Sequence, residues 1–205
     1  MRTDSSPIKI IGLGGFGESG IYYFGEGLRL SGQCLVFNDK INLFMPTKVR
    51  QITIRDFGSS EFYENHLSAL IENILLNSSN KEIFILAGGG GKLSKHFLEF
   101  LLNKLTMQNI KMTVLISSPF DWEGIQRKNE TEDVILTITP FVKWLFKYDN
   151  EKMKRSVSRE EPASKAFCLV FQEFKKLITD FNLFEVTKEE IQTFLLEEKM
   201  ILEIL

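Results

Sequence analysis

The chain has 205 residues, of which 43% are hydrophobic and 25% charged, so it can bury a core of ordinary size. Its 25 basic and 27 acidic residues give a formal net charge of −2, which gives no electrostatic reason to expect a nucleic-acid or membrane partner. No apolar run approaches the length of a membrane span, and residues 1–7 lack the layout of a secretory signal. Cys34 and Cys168 lie among apolar neighbours at a spacing unlike that of metal ligands. We therefore expect a cytoplasmic protein with two reduced core cysteines and neither a disulfide nor a metal site.

Short apolar runs alternate with segments of helical length along most of the chain. Runs rich in β-branched residues are typical of strands covered on both faces of a sheet. The predicted strands are residues 8–13, 33–38, 83–87, 111–117 and 133–138, and the predicted helices are residues 18–30, 60–77, 92–108 and 140–148. Residues 41–58 are expected to form a loop that could include edge strands, and Tyr148 to Pro162 an exposed connection. The alternation predicts an α/β fold with a doubly wound, mainly parallel sheet in a single domain.

The chain after Pro162 is helical in pattern. Residues 162–181 carry a phenylalanine-rich stripe at helical spacing, and Thr187 with Glu190 has the spacing of a capping box that begins a terminal helix. No strand is expected after that helix. Residues 1–181 then form the nucleotide-binding-type domain with its long helix, and residues 182–205 a terminal loop and helix packed on it.

Two glycine-rich loops follow predicted strands directly. Gly12 to Gly17 has the spacing G-x-G-x-x-G, and Gly88 to Gly91 is a run of four glycines. Glycine at a strand-to-helix junction lets backbone N–H groups approach a phosphate closely. Asp39 follows the first loop by roughly twenty residues, as in dinucleotide-binding domains. On these features alone, the chain could be a Rossmann-type NAD-dependent oxidoreductase that uses Gly12, Gly14, Gly17 and Asp39.

Three segments together resemble the FtsZ/tubulin family. Residues 8–24 (IKIIGLGGFGESGIYYF) are similar to its first strand and phosphate loop, and residues 83–91 (IFILAGGGG) to its second glycine loop. Residues 112–127 (MTVLISSPFDWEGIQR) resemble the strand that this family ends with a Pro-Phe pair, a Glu-Gly pair and an arginine. Residues 133–140, Ala166-Phe167 and Asn182-Leu183 continue the resemblance in the same order over nearly the whole chain.

The resemblance implies a cytoskeletal GTP-binding fold whose cofactor would be GTP or GDP, with no metal site. The nucleotide-binding residues would be Gly14, Gly15, Gly17, Gly88, Gly89, Gly90, Gly91, Lys92 and Phe167. Lys92 is equally well explained as a solvated lysine in a first helical turn, and Phe167 as a core residue. For hydrolysis the resemblance offers only Glu185 and Glu190, and the capping box also explains Glu190.

The sequence departs from the family at each part of that site. Lys92-Leu93-Ser94 stands where the family continues with Gly-Thr-Gly, and Glu18 replaces a glycine where its carboxylate would repel phosphates. Phe171 stands where the family has an acid or amide that hydrogen-bonds guanine. We therefore predict a degenerate member with weakened or lost guanine-nucleotide binding and no established catalytic residue. An active cytoskeletal GTPase of the cell-division type remains the alternative.

The expected role is one of interaction. The family's second, activation domain has no counterpart in the sequence, so we expect a homo-oligomer or a complex with a filament-forming relative rather than an ordinary filament. Helix 162–181 carries apolar residues nearly all round, and the terminal helix adds more. We expect these two helices to leave apolar surface that is used for dimerisation or partner binding.

Overall fold

The computed structural model describes residues 10–27, 33–54, 61–76, 82–156, 163–180, 187–198, 200 and 202–205. Within them, seven strands form one sheet: β1 (Ile10–Leu13), β2 (Cys34–Asn38), β3 (Arg50–Thr53), β4 (Glu82–Gly88), β5 (Lys111–Ser118), β6 (Trp144–Asp149) and β7 (Glu203–Ile204). Their order is β3-β2-β1-β4-β5-β6-β7, and every pair is parallel except β6 with β7. The predicted fold class is confirmed.

Helices cover both faces of the sheet. They are α1 (Gly14–Gly27), α2 (Glu61–Leu76), α3 (Lys92–His96), α4 (Leu98–Met107), α5 (Ile125–Ile138), α6 (Asn150–Ser156), α7 (Ala163–Asp180) and α8 (Lys188–Glu197). Residues of α2, α4 and α5 pack in the core on one face, and residues of α1, α7 and α8 pack in the core on the other. None of the helices in the described ranges has the length and apolar character needed to cross a membrane.

Glycines let α1 lie directly on the sheet. A Cβ on Gly12 would stand 2.5 Å from the carbonyl oxygen of Gly17, and a Cβ on Gly17 would stand 2.5 Å from that of Leu86. Gly14, with φ +63°, makes the turn from β1 into α1. The packing of α1 on β1 and β4 therefore requires Gly12 and Gly17, and the turn requires Gly14, whatever the ligand.

Two predicted elements have the wrong type. Residues 133–138 belong to α5 rather than to a strand, and residues 140–148 contain most of β6 rather than a helix. In α5 Val134, Ile135 and Ile138 are buried whereas Leu136 is 73% exposed, which is a helical spacing. The β-branched composition of this segment obscured that period. The other four predicted strands match β1, β2, β4 and β5.

Three smaller predictions are also corrected. β7 follows α8, where no strand was expected, and α6 occupies part of the predicted exposed connection, with Met153 buried. Cys34 is buried as expected, but Cys168 is exposed because it lies on the outer side of α7. Within residues 41–58, β3 is an edge strand.

Candidate functional site

An open cleft of about 710 Å³ lies at the carboxyl ends of β1, β2 and β4. The chain runs outward from β1 to β2 and β3 and then returns to β4 on the other side of β1. Ligands of parallel α/β sheets bind at such a point, because the connections leave it in opposite directions and a crevice remains between them. The cleft is lined by Leu13, Gly14, Gly15, Phe16, Asn38, Asp39, Ile54, Gly88, Gly91, Lys92, Leu93, Ser94, His96 and Arg127.

Two glycines of the first loop open onto this cleft. Gly14 and Gly15 line the cleft, and a Cβ on either would meet no atom within 4 Å. Gly17 is buried where α1 packs on β4, and it does not line the cleft. The open space beside Gly14 and Gly15 leaves the start of α1 accessible to a ligand.

The second glycine loop divides in the same way. Gly88 and Gly91 line the cleft, whereas Gly89 is buried and donates a backbone hydrogen bond of 2.8 Å to Ser117. Gly90 lies against the Arg127 side chain, whose Cβ would be 3.2 Å from a Cβ on Gly90. These two inner glycines therefore hold the loop against β5 and α5, and the outer two face the cleft.

The Ser94 hydroxyl group, which follows the second loop, is already engaged. Ser94 is buried and donates a hydrogen bond of 2.6 Å from its Oγ to the carbonyl oxygen of Gly88. This bond fixes the start of α3 to the loop.

Two cationic side chains from separate elements reach the cleft. Lys92 on α3 is exposed and makes no ion pair with any residue that the structure describes. Arg127 on α5 makes an ion pair of 2.5 Å with Glu123, whose other carboxylate oxygen accepts a hydrogen bond from the Phe120 N–H. Lys95, by contrast, pairs with Glu130 at 2.8 Å and lies outside the cleft. The sequence reasoning did not assign Arg127 to the site, although the Pro-Phe and Glu-Gly motif contained it.

Glu18 does not line the cleft. Its carboxylate accepts hydrogen bonds from the side-chain amides of Asn38 and Asn42, and the bond from Asn42 is 2.6 Å long. Both of its oxygens are therefore held on the β2 side of α1, and one of the donors, Asn38, lines the cleft. That the carboxylate repels phosphates stays a prediction, because hydrogen bonds from amides leave its charge in place.

An aromatic cluster closes the α7 side of the cleft. Phe16, which lines the cleft, has its ring centroid 5.1 Å from that of Phe171 and 6.2 Å from that of Phe167. Phe120 contacts Phe167 from another side at 6.3 Å. Phe167 itself does not line the cleft. Phe16, rather than Phe167, is therefore the ring that faces the cleft. The only signal for this in the sequence was a phenylalanine inside a glycine loop.

Of the two candidate hydrolytic acids, Glu190 is among the described residues, and it does not line the cleft. Glu190 accepts a hydrogen bond of 2.8 Å from the Thr187 N–H, and its own N–H donates to Thr187 Oγ1 at 3.3 Å. The predicted capping box is confirmed, and its hydrogen bonds lower the pKa of the Glu190 carboxyl below the ordinary value. Glu185 and Asn182-Leu183 lie outside the described residues. The described ranges contain no group of three His, Cys, Asp or Glu side chains suited to a metal ion.

The sheet order, the two helical layers and the two loops at one cleft match the fold of the FtsZ/tubulin nucleotide-binding domain. Among solved structures, CetZ2 from Haloferax volcanii as a GTPγS-bound protofilament is similar over 91% of this chain and 62% of its own, with TM-score 0.69 and 14% identity. CetZ from Methanosaeta thermophila is similar over 91% and 58%, with TM-score 0.67 and 16% identity. The empty FtsZ dimer from M. jannaschii is similar over 91% and 60%, with TM-score 0.64 and 17% identity.

The similarity to these three structures is one of fold. This chain spans 58% to 62% of their length. No protein-family model and no curated protein sequence matches it.

Proposed function

We propose that this chain is an FtsZ/tubulin-like protein that acts by self-association or by binding a filament-forming partner, with its guanine-nucleotide recognition weakened or lost. The fold supports the interaction role, because the similar structures include a CetZ2 protofilament and an FtsZ dimer. The contact of Phe16 with Phe167 is the observation that supports weakened or lost guanine recognition. It places one aromatic side chain of the protein against the ring that the family resemblance assigns to the base.

Phe171, at the position where the family resemblance places the residue that hydrogen-bonds guanine, supports the same proposal. Phe171 is buried and packs against Phe16 and, at 6.4 Å, against Phe24. A benzyl group offers no hydrogen-bond donor or acceptor, so it cannot discriminate one base edge from another. Guanine would therefore bind here with little more affinity than any other base.

Calorimetric titration of the full chain with GTP, GDP, ATP and NAD tests this proposal. We expect no preference for the guanine nucleotides. Light scattering over a concentration series, and co-sedimentation with an FtsZ-type filament, test the interaction role. Guanine-specific binding at micromolar concentration would restore an active GTP-binding protein. A strict monomer that sediments with no filament would overturn the interaction role.

A dinucleotide-binding domain is the second candidate, because one observation favours it. The order β3-β2-β1-β4-β5-β6 is that of such domains, and Asp39 lines the cleft at the end of β2, where the ribose would bind. The three glycines carry no weight in its favour, since the packing of α1 already requires Gly12 and Gly17 and the turn into α1 requires Gly14. Preferential NAD binding that Asp39→Ala abolishes would establish this candidate.

A further inference from the structure

We infer that the loop between β2 and β3, residues 39–49, inserts its tip into the surface of an anionic lipid bilayer. The loop carries Ile41, Leu43 and Phe44 as exposed apolar side chains, and the last two are 90% and 89% exposed. Apolar side chains that are exposed singly are common, but three of them within four residues mark a site of interaction. Such binding adds a membrane partner to the self-association proposed above and does not depend on it.

The backbone of this loop places Leu43 and Phe44 at its tip. The Met45 N–H donates a hydrogen bond of 3.2 Å to the Asn42 carbonyl oxygen, which closes a turn with Leu43 and Phe44 at its two central positions. The Phe44 N–H also donates, at 2.9 Å, to the side-chain oxygen of Asn42. Turn centres ordinarily carry glycine, proline or short polar residues, so the turn itself does not call for a leucine and a phenylalanine there.

The base of the loop is fixed to the fold. Met45 and Val49 are buried in the core on the α1 side of the sheet. The Gln51 side chain on β3 holds the Asn42 backbone at both its N–H and its carbonyl, and the Asn42 side chain donates to the Glu18 carboxylate. Because the tip is already held in place, it does not have to be ordered on binding, which removes part of the entropic cost of association.

The charges of the loop favour an anionic partner. Residues 40–49 include Lys40 and Lys48 and no acid, and the neighbouring Asp39 lines the cleft. Lys48 is at the centre of a second turn, which the Val49 N–H closes with a bond of 2.9 Å to the Pro46 carbonyl oxygen. Both lysines are exposed, and neither makes an ion pair within the part of the chain that the structure describes. The net charge of the whole chain therefore conceals a locally cationic loop.

A bilayer suits this arrangement better than a protein groove does. The apolar side chains stand at the apex of a tight turn rather than on a flat face, and a lysine follows on either side of them in the sequence. In the interfacial layer of a membrane, apolar side chains reach the acyl chains while lysines stay among the headgroups. Leu43 and Phe44 would supply the apolar part of the affinity, and Lys40 and Lys48 the preference for anionic lipid.

The test is co-sedimentation of the full chain with vesicles, either of phosphatidylcholine alone or of phosphatidylcholine and phosphatidylserine in equal amounts. We expect binding to the mixed vesicles. Leu43→Ser and Phe44→Ser should each weaken it by about tenfold or more, because the burial of an apolar side chain is lost. Leu136→Ser is the matched control, since this leucine is 73% exposed on α5 and should not affect binding. Lys40→Gln combined with Lys48→Gln should weaken binding to the mixed vesicles alone, also by about tenfold or more.

A fluorescent label distinguishes insertion of the tip from attraction of charge alone. Phe44→Cys in a Cys168→Ser background carries one exposed cysteine, because Cys34 is buried, and it is labelled with a polarity-sensitive fluorophore. We expect its emission to shift to shorter wavelength when mixed vesicles are added, as the label leaves water. The same label on Leu136→Cys in that background should not shift.

Three results would each overturn the inference: sedimentation with neither type of vesicle, binding that Leu43→Ser and Phe44→Ser leave unchanged, or equal emission shifts at the two labelled positions. Light scattering measures self-association separately. An oligomer that Phe44→Ser dissociates, in a protein that binds no vesicle, would assign the loop to a second copy of the chain and overturn the membrane role alone. Vesicle binding by a strict monomer would leave the inference standing and overturn the self-association alone.

Discussion

Asn42 donates a hydrogen bond of 2.6 Å from its side-chain amide to the Glu18 carboxylate, which joins the loop after β2 to α1. Asn38, at the end of β2, donates to the other oxygen of the same carboxylate. The Gln51 side chain holds the Asn42 backbone from β3, since its Oε1 accepts from the Asn42 N–H at 2.8 Å and its Nε2 donates to the Asn42 carbonyl at 3.0 Å. The loop is therefore fixed between α1 and β3 by polar contacts, beside the cleft.

This network predicts that Glu18→Ala destabilises the protein. The substitution removes the ionised acceptor of two part-buried hydrogen bonds and leaves two amides without it, so the free energy of unfolding should fall by about 2 kcal/mol. Urea denaturation measures this change. Glu197→Ala on α8, an exposed glutamate, is the control and should change little. Equal stability of Glu18→Ala and the wild type would show that the network contributes nothing.

Phe16→Ala tests whether this side chain closes the base site. It removes the contacts of Phe16 with Phe167 and Phe171 and opens the ring of Phe167 to the cleft. A base that stacks there gains about 1–3 kcal/mol, so GTP and ATP should both bind about tenfold more tightly or better, whereas tripolyphosphate should not. Phe100→Ala, a partly buried phenylalanine on α4 outside the cleft, is the control. An unchanged ratio of GTP to tripolyphosphate affinity would mean that Phe16 is not the obstacle.

The two cysteines should differ in reactivity. Cys168 is exposed, whereas Cys34 is buried in β2 and its burial raises the pKa of the thiol to about 12. Since the thiolate is the nucleophile, one equivalent of label should enter the native protein at pH 8, at Cys168. Mass spectrometry after iodoacetamide treatment locates the label, and Cys168→Ser should abolish native labelling. Rapid labelling of Cys34 without denaturant would contradict its burial.

The same shift makes stability depend on pH in the alkaline range. The Cys34 thiol binds its proton more tightly in the folded protein, so its contribution is complete below the ordinary pKa of 9.0 and is lost as the pH rises towards about 12. Relative to Cys34→Ala, the free energy of unfolding of the wild type should fall by about 1.4 kcal/mol per pH unit above pH 9. Urea denaturation at several pH values measures this difference. Parallel curves for the two proteins would show that Cys34 titrates normally.

Much of the fold could be predicted because its central strands are continuous apolar runs followed by glycine loops. β1 and β4 are of this kind, and the packing of Gly12 on Gly17 explains why the pattern is so clear. That α5 is a helix and β6 a strand, the reverse of the predicted types, could not be foreseen from composition. In α5 the buried residues follow a helical period, but this becomes visible only when Leu136, between them, is seen to be 73% exposed. In β6 apolar residues lie on both faces of the sheet, so the strand lacks a simple alternation.

The site could be predicted only in part, because its decisive contacts join distant segments. The glycine loops marked the position of the cleft, and Gly14, Gly15, Gly88, Gly91 and Lys92 do line it. Neither the bond between Asn42 and Glu18 nor the contact between Phe16 and Phe167 leaves a local pattern in the sequence. These tertiary contacts are what distinguish a closed aromatic wall from an open base site.

We expect self-association to use apolar surface on the two C-terminal helices. The stripe of α7 that was expected to leave apolar surface is covered on its inner side, since Val170, Phe171, Phe174 and Leu177 are buried. On α8, however, Leu196 remains 78% exposed. If the two C-terminal helices form the contact, Leu196→Ser should raise the dissociation constant by about tenfold, because burial of a leucine side chain contributes about 1.5–3 kcal/mol. Light scattering over a concentration series measures this constant.

Two further variants decide between this surface and others. Leu136→Ser removes a similarly exposed leucine from α5, in the opposite helical layer, and should leave association unchanged. Phe44, 89% exposed in the loop after β2, is a second exposed apolar side chain that could form the contact instead. If Phe44→Ser dissociates the oligomer and Leu196→Ser does not, the contact lies at that loop. It would also couple association to the cleft, because the loop is held by the same Glu18 carboxylate that binds Asn38 at the rim.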